Sequence, residues 1–295
     1  MRNLAKWALV LGSACLSLSA AGVVVGGGSL DSAFQAMKDA VAGKDAAQVK
    51  MLAAQTCAMA REIIASPTPQ TDDEKAAWTA HVEAAREVEL YTEYALYATA
   101  IQAPPADTVD LLAALVRQNP KSKYLADGYA AYFYALHKLG ETPKIPAVAE
   151  QALVNFPNNG DALMIMAEDT YLHKQPDRAL AYARRLTASG KGKPAELATG
   201  YWIAGVVEAE KGQYFEADRS LRTALPLVAG NDIRKAYALF YLGMANYQLG
   251  KMQLKKGLVL EGAQFSKQAA EIRSPVAQQA WHNALVMKDE AAKMR

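Results

Sequence analysis

The stretch Val154–Glu168, VNFPNNGDALMIMAE, has apolar residues at helical spacing on both sides of Pro157-Asn158-Asn159-Gly160-Asp161. Proline resists continuing a helix, Asn and Gly tolerate a turn, and Asp161 is placed to cap whatever follows. A helix is thus predicted to stop at Pro157 and another to start at once. The same stop recurs in RQNPKSKYL at Pro120 and in EIRSPVAQ at Pro275.

Counting back from Pro157 gives Ala152, Ala149 and Phe133, at separations of 5, 3 and 16; counting back from Pro120 gives Leu115, Leu112 and Leu96 at the same separations. The frame continues as Ala167, Ala183, Leu186 and Lys191, then as Gly205, Leu221, Ala224 and Ala229. A fifth copy starts at Gly243 and resumes at Ala263, Lys267 and Ala270 after eight extra residues around KKGLVLEG. Successive copies begin 37, 34, 38 and 38 residues apart, a period that calls for stacked supersecondary units.

Each copy is predicted to hold two helices. In the third, Leu163, Met166, Ala167 and Thr170 make one helical face, Gln175-Pro176-Asp177 the turn, and Ala179, Ala183 and Leu186 the face of the second helix. Small residues such as Gly205, opposite Ala217 and Ala224, let two antiparallel helices come close. Ala, Leu, Lys, Glu and Gln dominate a composition that is 52% hydrophobic and 21% charged, so the expected class is all-α with a sizeable core.

YWIAGVVEAEKGQYFEADRSLRTAL (Tyr201–Leu225) and LFYLGMANYQLGK (Leu239–Lys251) resemble tetratricopeptide repeats. The family's marks fall on Tyr201, Ala204, Gly205, Gly212, Tyr214, Ala217, Leu221 and Ala224, and again on Leu239, Leu242, Gly243 and Gly250. Phe133, Thr108 and Ile145 depart from it. The resemblance covers about residues 90–295 and implies a superhelical solenoid of about five helical hairpins. It also implies a concave groove that takes a peptide or partner helix. Carried over by spacing, the groove positions are Glu93 and Tyr97, Ala130 and Tyr134, Met164 and Glu168, Trp202 and Val206, and Phe240 and Met244, flanked by Tyr94, Tyr241 and Tyr247. The expected partner-binding set is therefore Tyr94, Tyr97, Tyr134, Met164, Trp202, Phe240, Tyr241 and Tyr247. The Lys, Asn and Arg with which the chaperone-binding branch grips acidic tails are missing, so that activity is not implied. The row suits an apolar segment, since aromatic anchors bury much area with few rotors.

The N-terminus places Arg2 and Lys6 before an uncharged run of 24 residues, Trp7–Leu30, with small residues at Ser19-Ala20-Ala21. Residues 1–21 are expected to be a secretory signal peptide or, in the alternative, an uncleaved membrane anchor. Gly12 three residues before Cys15 departs from a lipobox. The expected location is a bacterial periplasm or the exterior. Without residues 1–21, Lys+Arg falls from 32 to 30 and equals Asp+Glu, with no basic stripe to hold nucleic acid. Residues 22–71 are expected to form a helical pair hinged at Gly43-Lys44-Asp45. The solenoid then spans 72–275, its first helix running from Asp72 through Trp78, Val82, Ala85, Val88 and Glu89. A capping helix follows over 276–295, started by Ser274-Pro275 and carrying Trp281 and Leu285 on one face. Residues 30–71 read equally as a degenerate repeat or a capping subdomain.

Chemistry is sparse. His81, His137, His173 and His282 are dispersed without metal-ligand spacing, and Cys57 lies in an Ala-rich helix. Asp72-Asp73 and Glu87 with Glu89 read as capping or solvated acids, and no phosphate-cradling loop or nucleophile motif is present. No enzyme activity, cofactor or metal is expected. The resemblance points to a binding scaffold of the cell envelope, with an oligomerising or membrane-anchored assembly subunit as the alternative.

Overall fold

The structure, a computed structural model, describes residues 29–188 and 192–294. The signal-peptide or anchor expectation for residues 1–21 lies outside them. The described residues form thirteen α-helices and a short 3-10 turn, with no strand. The protein is all-α, and its helices pack in chain order. The chain divides into two compact units, one up to Thr92 and one from Glu93.

The first unit holds α1 (Leu30–Ala42), α2 (Ala46–Ile64) and the first part of α3 (Asp72–Ala100). Asp45 caps α2, accepting from the Gln48 N–H at 3.0 Å. Ala60 of α2 clusters with Ala85 and Val88 of α3, and Phe34 meets Tyr91 edge-on at 5.1 Å. Trp78 anchors the loop before its helix, its indole N–H donating to Ser66 Oγ at 2.8 Å.

The second unit continues with α4 (Pro105–Gln118), α5 (Leu125–Lys138), α6 (Ile145–Asn155), α7 (Gly160–Leu172) and α8 (Pro176–Thr187). It ends with α9 (Pro194–Glu210), α10 (Tyr214–Leu227), α11 (Asp232–Gln253), α12 (Lys256–Ala270) and α13 (Ala277–Lys293). From α5 onward each helix packs on the next, and each odd-numbered helix also touches the next odd-numbered one. The odd helices therefore form one continuous layer.

Five interhelical turns share one geometry. In each a residue takes a left-handed conformation: Lys44, Gly140, Lys174, Gly212 and Leu254. The residue after it donates its N–H five residues back, as Gln175 does to Thr170 O at 2.9 Å and Gln213 to Glu208 O at 2.8 Å. This bond closes a helix end and satisfies orphan carbonyls. Only two of the five carry the glycine that favours this conformation; in the other three it falls on Lys44, Lys174 and Leu254, the first of them inside the expected Gly43-Lys44-Asp45 hinge.

The predicted frame lands in the core. Leu96, Leu112, Leu115, Phe133, Ala149, Ala152, Ala167, Ala183, Leu186, Leu221 and Ala224 are all buried. A Cβ on Gly205 would lie 2.4 Å from Leu221 Cγ, so the α9–α10 approach requires glycine. In the fifth copy the register differs from the expectation by one residue. Gly243 faces Ser266 and Gly262, Gly250 faces Val259, and Lys267 is exposed. The extra residues lengthen helices α11 and α12, and Ser266 takes the contact position expected for Lys267.

Four local expectations are corrected. Asn159, not Asp161, caps α7, accepting from the Ala162 N–H at 2.9 Å, while Asp161 pairs with Lys193 at 2.7 Å. Pro176 is the first residue of α8, which moves the turn back to His173-Lys174-Gln175. Ser274 does not cap α13; its hydroxyl is buried without a hydrogen-bond partner, and the helix starts at Ala277 after Val276. On α13 the buried stripe is Ala280, Ala284, Met287 and Ala291. Trp281 and Leu285 turn outward, 50% and 49% exposed.

Repeated polar ties join the even and odd helices. Arg184 of α8 donates to Glu208 of α9 at 3.0 Å, and Arg222 of α10 to Asn246 of α11 at 3.2 Å. Buried Glu208 also accepts from Ser220 Oγ at 2.8 Å, which compensates its desolvation.

Candidate interaction face

The odd-helix layer carries an aromatic row across α7, α9 and α11. Tyr171 meets Trp202 edge-on at 5.4 Å, Trp202 meets Tyr237 at 6.4 Å, and Tyr237 stacks on Tyr241 at 6.4 Å. Helical spacing builds it, with Met164, Glu168 and Tyr171 on one stripe of α7 and Arg234, Tyr237 and Tyr241 on one stripe of α11.

Polar groups fix this row at two levels. The Trp202 indole N–H donates to the Arg234 carbonyl at 3.0 Å. The Arg234 guanidinium lies 5.2 Å from the Trp202 ring centroid, pairs with Glu168 at 2.5 Å and donates to Thr199 Oγ1 at 2.9 Å. One level along, the Tyr241 hydroxyl donates to Glu210 Oε1 at 2.5 Å. Burial, then the nearby Glu210 carboxylate, pushes the Tyr171 hydroxyl up to about 12. Burial and the bond to Glu210 push the Tyr241 hydroxyl up as well. Both phenols stay protonated across the physiological range.

The eight expected site residues are not one surface. Trp202 and Phe240 are core residues, 8% and 9% exposed, and Phe240 packs with Leu239, Ala269 and Ala280. Met164 is half-buried beside the row, and Tyr241 is half-buried within it. Tyr134 on α5 is 61% exposed, with Lys138 Nζ 5.3 Å from its ring centroid. Tyr94 and Tyr97 cluster instead around Tyr124, at 5.8 and 5.7 Å. Tyr247 packs with Val259, Ala263 and Met287, under Lys251. Tyr171, Tyr237, Glu210 and Arg234 were not among the expected residues. Their signal was present, since Tyr171 lies seven residues after Met164 and Tyr237 three before Phe240.

A separate cleft of about 510 Å³ lies beside the Pro157–Asp161 segment, bordered by Asp127, Phe156, Asn158, Asp161, Lys193 and Glu196. Lys193 bridges Asp161 and buried Glu196, at 2.7 and 3.4 Å. The bond to Asp161 does most to hold its ammonium above the usual lysine range.

The four histidines are all exposed. Among the described residues no group of His, Cys, Asp and Glu is arranged to hold a metal ion, and no helix is long and apolar enough to cross a membrane. No family model matches the chain, and no curated protein matches it.

Proposed function

We propose that the chain is a non-catalytic binding scaffold, a solenoid of tetratricopeptide-like hairpins that holds a protein or peptide partner along its odd-numbered helices after export. The observation behind this reading is the aromatic row Tyr171–Trp202–Tyr237–Tyr241, drawn from three successive odd helices and half-open at its tyrosines. A row of this kind offers rigid, amphipathic area at low entropic cost. Trp202 and Phe240 support the face from below, and Tyr134, Met164, Tyr237 and Tyr241 present it.

The test is photo-crosslinking in cells from Tyr134, Met164 or Tyr237, compared with Arg219 or Lys267 on the even helices. Defined adducts from the first set alone support the reading. Equal yields from both sets would refute it.

A second reading, an assembly subunit, draws on outward-facing Trp281 and Leu285 of α13. A W281E/L285E variant whose sedimentation matches the native protein, itself a monomer at micromolar concentration, would remove that reading.

A further inference from the structure

The two polar levels of the aromatic row have the same ingredients and differ in one. At the first, a carboxylate (Glu168) and an aromatic ring (Trp202) surround a guanidinium that the chain itself supplies from Arg234. At the second, the Glu210 carboxylate lies beside Tyr241, with Tyr237 stacked on Tyr241. Its hydrogen-bond partner is a neutral hydroxyl, and among the described residues Glu210 enters no ion pair. The adjacent Lys211 is engaged with Asp177, and Arg234 with Glu168.

Three further features make this level attractive to a cation. Glu210 is exposed, so its carboxylate is reachable. It is the last residue of α9, where the partial negative charge of the helix end adds to its own. The faces of tyrosine rings carry negative potential and draw cations over them. With Tyr171 and Tyr241 held protonated, the carboxylate is the one formal charge of the group formed with Tyr237.

We infer that Glu210, Tyr237 and Tyr241 form a binding site for a cationic side chain of a partner polypeptide, arginine before lysine. The chain's own Arg234, held between Glu168 and Trp202, is the template. A guanidinium is planar, stacks on aromatic rings and bonds a carboxylate with two N–H groups, where an ammonium offers a strongly hydrated point charge. The inference rests on the scaffold reading and narrows it: the partner segment carries a basic residue at this level, not apolar residues throughout.

The probe is Nα-acetyl-arginine methylamide, with the neutral isostere Nα-acetyl-citrulline methylamide as control, titrated into the full chain with tyrosine-ring NMR as readout. Saturable shifts of the Tyr237 and Tyr241 signals are expected with the arginine probe, and at least ten-fold weaker binding with citrulline. Glu210→Gln should weaken arginine binding at least ten-fold, while Glu216→Gln, at an exposed carboxylate of α10, should keep it. Equal binding of the two probes, or unchanged binding in Glu210→Gln with its fold intact by circular dichroism, overturns the site. Capture of a crosslinked partner equally by native and Glu210→Gln chains overturns the site and leaves the docking face standing. Arginine binding without face-specific crosslinking keeps the site and removes the scaffold reading.

Discussion

Asn159 holds Ala126 across 33 residues of chain: its side-chain amide donates to the Ala126 carbonyl at 2.8 Å. The same side chain accepts the Ala162 N–H, so one residue caps α7 and ties it to α5. Asn159→Ala should cost about 1–2 kcal/mol, the loss of a cap together with an interhelical hydrogen bond. Asp161→Ala loses a partly exposed pair with Lys193 and should cost under about 1 kcal/mol. Urea midpoints of the two variants test the order, and a larger loss for Asp161→Ala would restore it as the cap.

The left-handed turns predict stabilising changes. Lys174 and Leu254 hold φ of 56° and 54°, a conformation that costs an L-residue about 1–2 kcal/mol. Leu254 is 84% exposed, so its side chain contributes little in return. Lys174→Gly and Leu254→Gly should each raise stability by roughly 0.5–1 kcal/mol. Gly212→Ala, at φ 74°, should lower it by about 1 kcal/mol. Thermal melts of the three variants are the measurement, with upward shifts for the first two and a downward shift for the third.

Gly205 lies inside α9 and Lys211 just past its C-terminal end, and the two should respond unequally to bulk. A Cβ at Gly205 collides with Leu221, so Gly205→Ala should cost about 1–3 kcal/mol by overpacking, and Gly205→Leu more. Lys211→Leu gives up an exposed pair with Asp177 and should cost under about 1 kcal/mol. Denaturation curves in which the two leucine variants lose equal stability would break the close-approach argument.

Tyr171 gives the fold an alkaline limit. Its hydroxyl titrates near 12 when folded, against an ordinary value of 10.0 that the unfolded chain should approach. Below pH 10 both states keep the proton and the contribution is constant. Between about pH 10 and 12 the unfolded state loses the proton first, so stability falls as pH rises. Tyr171→Phe should flatten that fall, as read from guanidinium midpoints, and should remove one late step from the 295 nm absorbance titration.

Much of the fold was legible because hairpins repeat their burial pattern. The positions spaced 16 and 3 residues apart are core residues in every copy but the fifth, and Gly205 marks a true close approach. The fifth copy misled because Ser266 is polar, yet it packs under Gly243 with its hydroxyl 3.5 Å from Met287 Sδ. Asp161 and Asn159 are equally good caps by residue type, and the deciding contact, Ala126, belongs to another helix. The face was harder to read. Spacing within one hairpin places Trp202 and Phe240 on the layer, but the next hairpin determines whether they open to solvent or pack beneath Tyr237 and Tyr241.

Packing in chain order also governs how the second unit comes apart. Most of its tertiary contacts join neighbours in sequence, so its stability is a sum of local and adjacent-hairpin contributions. The C-terminal pair α12–α13, supported from one side, should exchange its amide hydrogens well before α9, which is buried along most of its length. Losing the terminal hairpin would then leave the Trp202 region folded: damage would peel inward by instalments.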